Sequence, residues 1–301
     1  MSNRSIIRQL FCFAIRLTMV PYVIREIIQR NKVTILMFHE VDPQAFDRHI
    51  RVLKARYNII SLKSFLETSD LPPKPLIITL DDGHLSNYQL LPVIQKHRIP
   101  VTIFVCSGIL GTNRHFWFDT GLPYEELEQL KHLDNDERLR RMEGIGFNET
   151  REYPDRQALS DDELLEMMEY VDFQAHTVFH PILPMCSDDR SRYEICQCKQ
   201  DLESSYGLSV YALSYPNGDY SEREKKFAKD SGYRCAVTVD YEFNTAKTDP
   251  FELKRIYVGG NAGKNELIIK ASGLWIPFHK AKKMLMKRTA KQHTCLRGEI
   301  N

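Results

Sequence analysis

In two segments of the chain, residues 76–83 and 173–181, an apolar run is followed by side chains of the types that bind metal ions. Each apolar run is typical of a buried strand. Asp82, His176 and His180 offer one carboxylate and two imidazoles. A catalytic zinc site commonly takes these three ligands and leaves a fourth position open. The two segments therefore indicate a mononuclear metal hydrolase.

The second carboxylate of the first segment has a role of its own in such a site. Asp81 is not needed as a ligand, and a hydrolase needs a general base that takes a proton from the attacking water. Successive strand residues point to opposite faces of a sheet, so Asp81 and Asp82 share a pocket only if the backbone turns there. We expect Gly83 to supply the conformational freedom for that turn.

The spacing of His176 and His180 also occurs in helical zinc proteases. Those enzymes carry a glutamate directly after the first histidine as their general base, whereas this chain has Thr177. Pro181 also disfavours a helical conformation at the residue before it. We therefore exclude a helical zinc protease. We expect His180 to lie in a loop at the end of a strand.

Apolar, β-branched runs alternate with helical patterns along the chain. The predicted strands are residues 33–38, 76–80, 101–105, 172–175, 210–214, 235–239 and 255–258, and the predicted helices are 46–55, 87–97, 161–170, 190–206 and 222–230. This alternation predicts an α/β fold, here a distorted (β/α) barrel of about seven parallel strands. Barrel enzymes build their active sites at the carboxyl ends of the strands, and five polar residues follow those ends: His39, Asp81, His176, Tyr215 and Asp240.

At these residues the chain resembles the polysaccharide deacetylase family, the NodB-homology carbohydrate esterases. That family has a Thr-Phe-Asp-Asp-Gly motif, a His-Ser/Thr-x-x-His motif and a third motif around Arg-x-Pro-Tyr or Tyr-Pro-Tyr-Gly. The matching segments, in the family's order, are residues 79–83, 176–180 and 214–218. The resemblance also includes Asn87, covers about residues 33–273, and implies a barrel of the NodB-homology type.

The resemblance implies a metal-dependent hydrolase that removes acetyl groups from the N-acetylated sugars of a polysaccharide or glycan precursor. In that interpretation Asp81 is the catalytic base, and the backbone N–H of Tyr215 helps to hold the oxyanion. One divalent metal ion, expected to be zinc, is bound by Asp82, His176 and His180.

The proton donor and the substrate contacts depart from the commonest family pattern. We find no Leu-x-His motif in a suitable place near the C-terminus, and His39 resembles the proton donor of some exopolysaccharide deacetylases. Leu80 replaces the usual Phe, one apolar packing residue for another. Asn217, a candidate substrate contact, stands where relatives often have Tyr, and the third motif contains no Arg. Arg255 and Asp240 are the candidates to orient the base instead, with a structural role as the alternative for both.

The length of the chain allows one barrel with extensions, because such a barrel commonly takes ~250 residues and the chain has 301. We expect a basic amphipathic helix over residues 1–32, a barrel over 33–274 with an insert at about 111–160, and a basic tail over 275–301. Trp117 lies at the start of the insert. It is a candidate for stacking on a sugar ring, and the alternative is that it only fastens the insert to the barrel.

Both ends of the chain are basic and the body is acidic. Residues 1–32 carry a net charge of +5 and residues 279–301 carry +6, which leaves about −10 for the rest of a chain whose total is +1. An acidic body argues against nucleic acid as a partner.

The first basic arm mixes apolar residues with arginines. Arg16 and Pro21 interrupt it, so it matches neither a cleavable signal peptide nor a spanning helix of ~20 apolar residues. We expect an amphipathic helix on an anionic membrane surface, with packing on the barrel as the alternative. The tail around residues 280–291 would reinforce membrane contact or stay in solvent.

The seven cysteines are scattered and do not match a disulfide framework. We therefore expect a cytoplasmic protein, peripheral at the inner membrane surface, that acts on a polysaccharide or on a lipid-linked or nucleotide-linked sugar. Two alternatives stay open. One is a catalytically silent glycan-binding or assembly protein of the same fold. The other is a non-haem iron oxygenase, since two histidines and one carboxylate also form that iron site.

Overall fold

Eight parallel strands form the centre of the molecule in the computed structural model, which describes residues 3–281, with side chains from residue 7 onward. The strands are β1 (Thr34–Phe38), β2 (Asn58–Ile59), β3 (Pro75–Leu80), β4 (Val101–Val105), β5 (Val171–Ala175), β6 (Ala212–Ser214), β7 (Cys235–Val237) and β8 (Ile256–Tyr257). Seven of them lie side by side in the order β7-β6-β5-β4-β3-β1-β8, and β2 pairs with the start of β3.

This order produces an incomplete barrel, with β7 and β8 at its two ends. Leu253, in the segment that leads into β8, forms a parallel bridge with Val237 of β7. Its N–H donates to the carbonyl of Ala236 at 3.0 Å, and its own carbonyl accepts the N–H of Thr238 at 2.8 Å. The predicted distorted barrel of about seven parallel strands is therefore confirmed, although β6, β7 and β8 are shorter than the sequence pattern indicates.

The strand register brings polar residues to one edge of the sheet. Phe38 of β1 pairs with Leu80 of β3, and Val105 of β4 pairs with Ala175 of β5. Since these are the last residues of their strands, the segments that follow them leave the barrel at the same edge. Leu80 is fully buried in the main core, as expected for a packing residue.

Eleven α-helices fall within residues 3–281: α1 (Asn3–Leu17), α2 (Val20–Val23), α3 (Pro43–Lys54), α4 (Leu62–Glu67), α5 (Leu91–His97), α6 (Tyr124–Leu130), α7 (Asn135–Gly144), α8 (Asp161–Met167), α9 (Asp188–Tyr206), α10 (Glu222–Asp230) and α11 (Lys264–Ala271). Ser160 and Ser221 are the N-cap residues of α8 and α10. Each forms a capping box with a glutamate three residues later, and this satisfies backbone N–H groups at the start of the helix. The predicted helix at 87–97 is divided into a 3-10 helix (Leu85–Leu90) and α5. Pro92 lies in the first turn of α5, where its missing N–H costs no helical hydrogen bond.

The N-terminal helix predicted over residues 1–32 is interrupted. After α1, Met19 adopts a left-handed conformation with a φ of 61°. The short α2, which contains Pro21, then leads into a π-helical turn, Ile24–Ile28. One side of α1 packs against α11 and buries Cys12. The alternative of packing on the barrel is therefore observed for that side of the helix.

The insert predicted at about residues 111–160 contains α6, α7 and a small apolar core of its own: Trp117, Leu130, Met142, Phe147 and Ile182. The buried guanidinium of Arg138 lies over the Trp117 ring at 4.6 Å. Because Ile182 belongs to the loop after β5, this core joins the insert to the barrel.

The ends and the cysteines of the chain are described only in part. Most of the predicted basic tail, from residue 282 onward, lies outside the described residues. Six of the seven cysteines lie within the described part, and none of these six forms a disulfide. Among the helices of residues 3–281, none combines the length and the apolar character needed to cross a membrane.

Candidate active site

The first polar segment turns directly after β3. Asp82 and Gly83 both adopt a left-handed conformation, with φ of 73° and 67°. The turn therefore begins at Asp82 itself, which corrects the expectation that Gly83 alone supplies it. Gly83 is required for space as well, because a Cβ atom there would lie 2.6 Å from Cγ1 of Val105. As a result Asp81 and Asp82 line the same cavity.

The second polar segment forms a loop after β5, as predicted. Thr177 and His180 have φ of 69° and 56°, and the N–H of His180 donates to Thr177 Oγ1 at 3.1 Å. Thr177 follows His176, at the position where the helical zinc proteases have their catalytic glutamate. Here its hydroxyl instead stabilises the loop by accepting this hydrogen bond. The rings of His176 and His180 meet edge to face, with centroids 4.7 Å apart.

A buried glutamate that the sequence did not indicate holds the same loop. Glu194, on α9, accepts the N–H groups of Val178 and Phe179 through Oε2 at 2.8 and 2.9 Å. Its Oε1 pairs with Arg190 at 2.7 Å. Burial raises the pKa of Glu194, although Arg190 and the Phe179 N–H favour the charged form. Since the bonded amides lie between His176 and His180, Glu194 positions the two histidines.

Asp82, His176 and His180 converge where the two segments meet. Asp82 Oδ1 lies 3.4 Å from His176 Nε2 and 3.5 Å from His180 Nε2. One ligand atom from each residue lies within 4.8 Å of the other two. The structure therefore brings together the ligand set predicted from the sequence, and one oxygen with two imidazole nitrogens is a donor set used by zinc and other first-row divalent metals.

The hydrogen bonding of His176 leaves its second ring nitrogen available. Nδ1 lies 2.8 Å from the carbonyl oxygen of Ser214. A carbonyl only accepts, so Nδ1 carries the proton and the neutral ring has its lone pair on Nε2, which faces Asp82. Histidines that bind metals are usually held through their other nitrogen in this way.

The electrostatics of the cluster also favour a cation. Asp82 Oδ1 is buried and has no hydrogen-bond partner within the described part of the chain. Burial lowers the pKa of His180 to about 3, so this ring is neutral. Burial also lowers the pKa of His176, but the carboxylates of Asp82 and Asp81 outweigh it and the net shift is upward. A buried carboxylate oxygen that faces two imidazole nitrogens needs a positive charge beside it, supplied by a proton on His176 or by a metal ion. These residues fit a divalent metal ion.

Asp81 is held by a buried arginine. Nη1 and Nη2 of Arg255 donate to its two carboxylate oxygens at 2.6 and 2.7 Å, and Ser214 Oγ donates to Oδ2 at 3.1 Å. Burial raises the pKa of Asp81, but Arg255 and His176 lower it more, so the net shift is downward. Asp81 is therefore ionised at neutral pH, and the planar guanidinium fixes the orientation of its carboxylate.

The two candidates for orienting Asp81 are distinguished by their contacts. Arg255 is fully buried, and its Nε donates to the carbonyl of Thr238 at 2.9 Å. The carboxylate of Asp240 lies 3.6 Å from Nζ of Lys254, outside the cavity lining. The backbone carbonyl of Asp240 accepts the N–H of Arg255 at 3.1 Å. Arg255 therefore orients Asp81, and Asp240 supports the backbone of Arg255.

The third motif contributes less to the cavity than the resemblance implies. The N–H of Tyr215 donates to the carbonyl of Val237 at 3.3 Å, because the pairing of β6 with β7 continues for one residue. The Tyr215 hydroxyl donates to the carbonyl of Phe251 at 3.2 Å. In this structure the amide that the resemblance assigns to the oxyanion is therefore bonded to β7. Asn217 does line the cavity, and its side chain bonds to Asp219.

His39 approaches Asp82 from another direction. Its Nε2 lies 3.9 Å from Asp82 Oδ2, the oxygen that does not face the other two histidines. The buried side chain of Asn87 donates to the carbonyl of His39 at 3.1 Å, and the Tyr257 ring meets the imidazole edge to face at 5.5 Å. Because 40% of the His39 side chain is exposed, solvent reaches its imidazole at the mouth of the cavity.

A cavity of about 370 Å³ opens at the cluster, between the barrel and the insert. Trp117, the predicted stacking residue, is only 3% exposed, and its Nε1 donates to the carbonyl of His180 at 2.8 Å. Its contacts match the alternative, in which it fastens the insert to the barrel. Tyr124 of α6 lines the same cavity and is 73% exposed. It is more exposed than Phe118, the half-buried insert aromatic that also lines the cavity.

Comparisons with known proteins agree with this geometry. A family model described as polysaccharide deacetylase matches residues 68–236. The Bacillus subtilis (strain 168) protein YxkH, whose assigned name is that of a polysaccharide deacetylase, is 23% identical over 242 residues, which cover 75% of this chain and 71% of YxkH. The Streptococcus pyogenes deacetylase PplD, solved with acetate, has a TM-score of 0.60 at 21% identity, covering 80% of this chain and 99% of PplD. IcaB from Ammonifex degensii has a TM-score of 0.60 at 18% identity, and the match covers 81% of this chain and 98% of IcaB.

Proposed function

Because the chain belongs to the polysaccharide deacetylase family, whose members are hydrolases of carbon–nitrogen bonds other than peptide bonds, we propose that it is a metal-dependent enzyme that removes acetyl groups from N-acetylated sugars. One observation carries this proposal. Arg255 holds Asp81 in place, while two histidines surround the adjacent Asp82. The two aspartates are thereby given different tasks, one as base and one as ligand.

Asp82, His176 and His180 would hold the metal ion, expected to be zinc, which supplies Lewis-acid polarisation of the acetyl carbonyl. Asp81 is placed to take a proton from the water that attacks this carbonyl. Arg255 keeps Asp81 ionised and aligned during that transfer.

The sugar amine needs a proton when the carbon–nitrogen bond breaks and acetate departs. His39 is the proposed donor, because it lies at the cavity mouth beside Asp82 and is reached by solvent. The Tyr215 amide would have to give up its 3.3 Å bond to Val237 in order to hold the oxyanion. We therefore give Tyr215 a smaller part than the resemblance implies.

The proposed substrate is an N-acetylated polysaccharide or a lipid-linked or nucleotide-linked sugar. An exposed aromatic ring beside charged side chains, as in Tyr124, Glu128 and Lys131, is a combination that binds sugars well, since the ring covers an apolar sugar face and the charges bond hydroxyls. A cytoplasmic location and peripheral membrane contact would bring a lipid-linked substrate to this cavity.

The two alternatives open at the sequence level lose support. An iron oxygenase does not match a chain of a hydrolase family with a parallel barrel. A silent glycan-binding protein would not need a buried arginine that keeps the second aspartate ionised beside the metal site.

Acetate release with zinc added tests the proposal. The substrates are N-acetylglucosamine oligomers of increasing length, a lipid-linked N-acetylhexosamine and a nucleotide-linked one. We expect one free amine for each acetate from at least one class. Metal-loaded, folded protein that releases acetate from none of the three would contradict the proposal.

Replacing Tyr124 by alanine should raise KM for the preferred oligomer about fivefold with little change in kcat, because stacking on a sugar ring contributes ~1 kcal/mol. The Tyr124→Phe variant should keep the wild-type KM. Steady-state kinetics of acetate release measure both values. Tyr193→Ala, which removes an exposed tyrosine outside the cavity lining, is the control. If Tyr124→Ala and Tyr193→Ala have the same KM, Tyr124 does not contact the sugar.

A further inference from the structure

The N-terminal helices carry a large exposed apolar surface. Eighteen large hydrophobic side chains are exposed in the described part of the chain, and eleven of them lie between residues 7 and 28: Ile7, Leu10, Phe11, Phe13, Leu17, Met19, Val20, Tyr22, Val23, Ile27 and Ile28. We call these eleven residues the N-terminal apolar face. Contiguous apolar patches on a protein surface usually mark a binding site.

The geometry of α1 separates this face from the side that packs on the barrel. Ile7, Leu10, Phe11 and Leu17 follow the spacing of one helical stripe, whereas the buried Cys12 lies on the opposite side. On the packed side Arg8 pairs with Glu266 of α11, and Arg16 donates to Asn265 at 2.9 Å. The apolar face is therefore turned outward by contacts that fix the helix.

Three arginines meet in a cavity of about 350 Å³ at the edge of this face. Arg16, Arg25 and Arg56 line it, together with Met19 and Tyr22 of the apolar face. Arg25 contacts Glu26 at 2.6 Å. The hydrogen bonds of Arg16 and Arg56 go to neutral groups instead, the Asn265 amide and the Val52 carbonyl.

The charge in this cavity is incompletely balanced. Burial, together with the neighbouring Arg25 and Arg16, lowers the pKa of Arg56. Guanidinium groups bind phosphate oxygens through paired N–H donors, so an added phosphate would relieve the repulsion among the three.

Further basic residues lie on the packed side of α1. A larger cavity of about 1210 Å³, between α1, α3 and α11, is lined by Arg8, Arg48, Arg51 and Lys264, with Asp42 as its acidic residue. Two of these cations are paired, Arg8 with Glu266 and Arg51 with Asp47. An apolar stripe with cations beside it is the arrangement of a helix that lies on an anionic bilayer.

We propose that the N-terminal apolar face docks the protein on an anionic membrane surface, and that the cavity of Arg16, Arg25 and Arg56 takes the phosphate of an anionic lipid. A second copy of the chain fits this face less well, because a two-fold contact would bring the basic borders together. Docking does not depend on the proposed reaction, since it is measured without substrate.

Sedimentation of the full chain with lipid vesicles tests the proposal. We expect binding to phosphatidylcholine vesicles that contain phosphatidylglycerol, weaker binding to phosphatidylcholine alone, and release by high salt. Leu17→Ser with Ile27→Ser should abolish binding, and so should Leu10→Ser with Phe11→Ser. Arg16→Gln with Arg56→Gln should weaken binding about fivefold for each arginine removed.

Two matched controls separate docking from general effects. Leu165→Ser removes an exposed leucine of α8, and Arg140→Gln removes an exposed arginine of the insert. Both should bind vesicles like the wild type, and all variants should keep its unfolding transition and its acetate release from a soluble substrate.

Docking is overturned if the wild-type chain does not sediment with anionic vesicles, or if the serine variants bind them as well as Leu165→Ser does. The phosphate site is overturned if the double arginine variant binds like Arg140→Gln. A dimer in light scattering that the serine variants dissociate would show that a second copy covers the face, and would overturn the membrane proposal.

Discussion

Replacing Asp81 by asparagine is expected to lower turnover about 10²–10⁴-fold or more, the usual contribution of a positioned general base. Asparagine has the shape of aspartate but cannot take a proton from the attacking water. Because Asp81 is not one of the three ligand residues, the variant should still bind its metal. Rates of acetate release and metal analysis of the same protein sample measure the two effects together.

Asp172→Asn is the matched control, since Asp172 is a largely buried aspartate of β5 that bonds to Thr102, Gln174 and Tyr211 outside the cavity. Its turnover should stay close to that of the wild type. Turnover of Asp81→Asn within a few-fold of the control would show that another group is the base. Loss of metal from Asp81→Asn would place Asp81 among the ligands.

Replacing Arg255 by methionine should lower the free energy of unfolding by about 3–5 kcal/mol, because Asp81 would remain buried as an unpaired charge. Both side chains are almost fully buried, at 0% and 4% exposure. Loss of the guanidinium also removes the largest interaction that lowers the pKa of Asp81, so that pKa should rise. The variant should lose turnover because its carboxylate is no longer aligned. Urea unfolding in the presence of a chelator measures the stability without a contribution from bound metal.

A double-mutant cycle measures the coupling between Asp81 and Arg255. The double variant Asp81→Asn with Arg255→Met removes both charges. Its loss of unfolding free energy should therefore be smaller than the sum of the losses of the two single variants, by about 0.5–3 kcal/mol. Arg140→Met removes one partner of an exposed pair with Glu137 and should change stability by less than about 1 kcal/mol. Additive losses in the cycle, or equal losses for Arg255→Met and Arg140→Met, would contradict a buried, coupled pair.

Most of the barrel could be predicted because strands buried on both faces appear as continuous apolar runs. β3 and β4 agree with their predicted limits to within one residue at either end. β2 has two residues, too few to show any periodicity, and its pairing with β3 depends on the fold. α6 and α7 lie in a highly charged segment, where an amphipathic pattern is weak.

The convergence of Asp82, His176 and His180 could be predicted because few side-chain types bind metals and the motifs limit their order. Contacts across the barrel depend on strand register, which the sequence does not give. Arg255, 174 positions from Asp81, could therefore be named only as one of two candidates, and Glu194, which reaches the histidine loop from another element, was not predicted. The sequence left two roles open for Trp117 for a similar reason. Packing within the insert buries Trp117 and exposes Tyr124, and residue type alone does not distinguish them.

Acetate release before and after chelation tests the central claim most directly. We expect that protein carrying one bound metal ion releases acetate from an N-acetylated sugar, that the chelated protein does not, and that zinc restores the rate. Asp82→Ala should not regain activity with zinc, because it lacks the carboxylate ligand. Undiminished acetate release by protein shown to be free of metal would contradict the account.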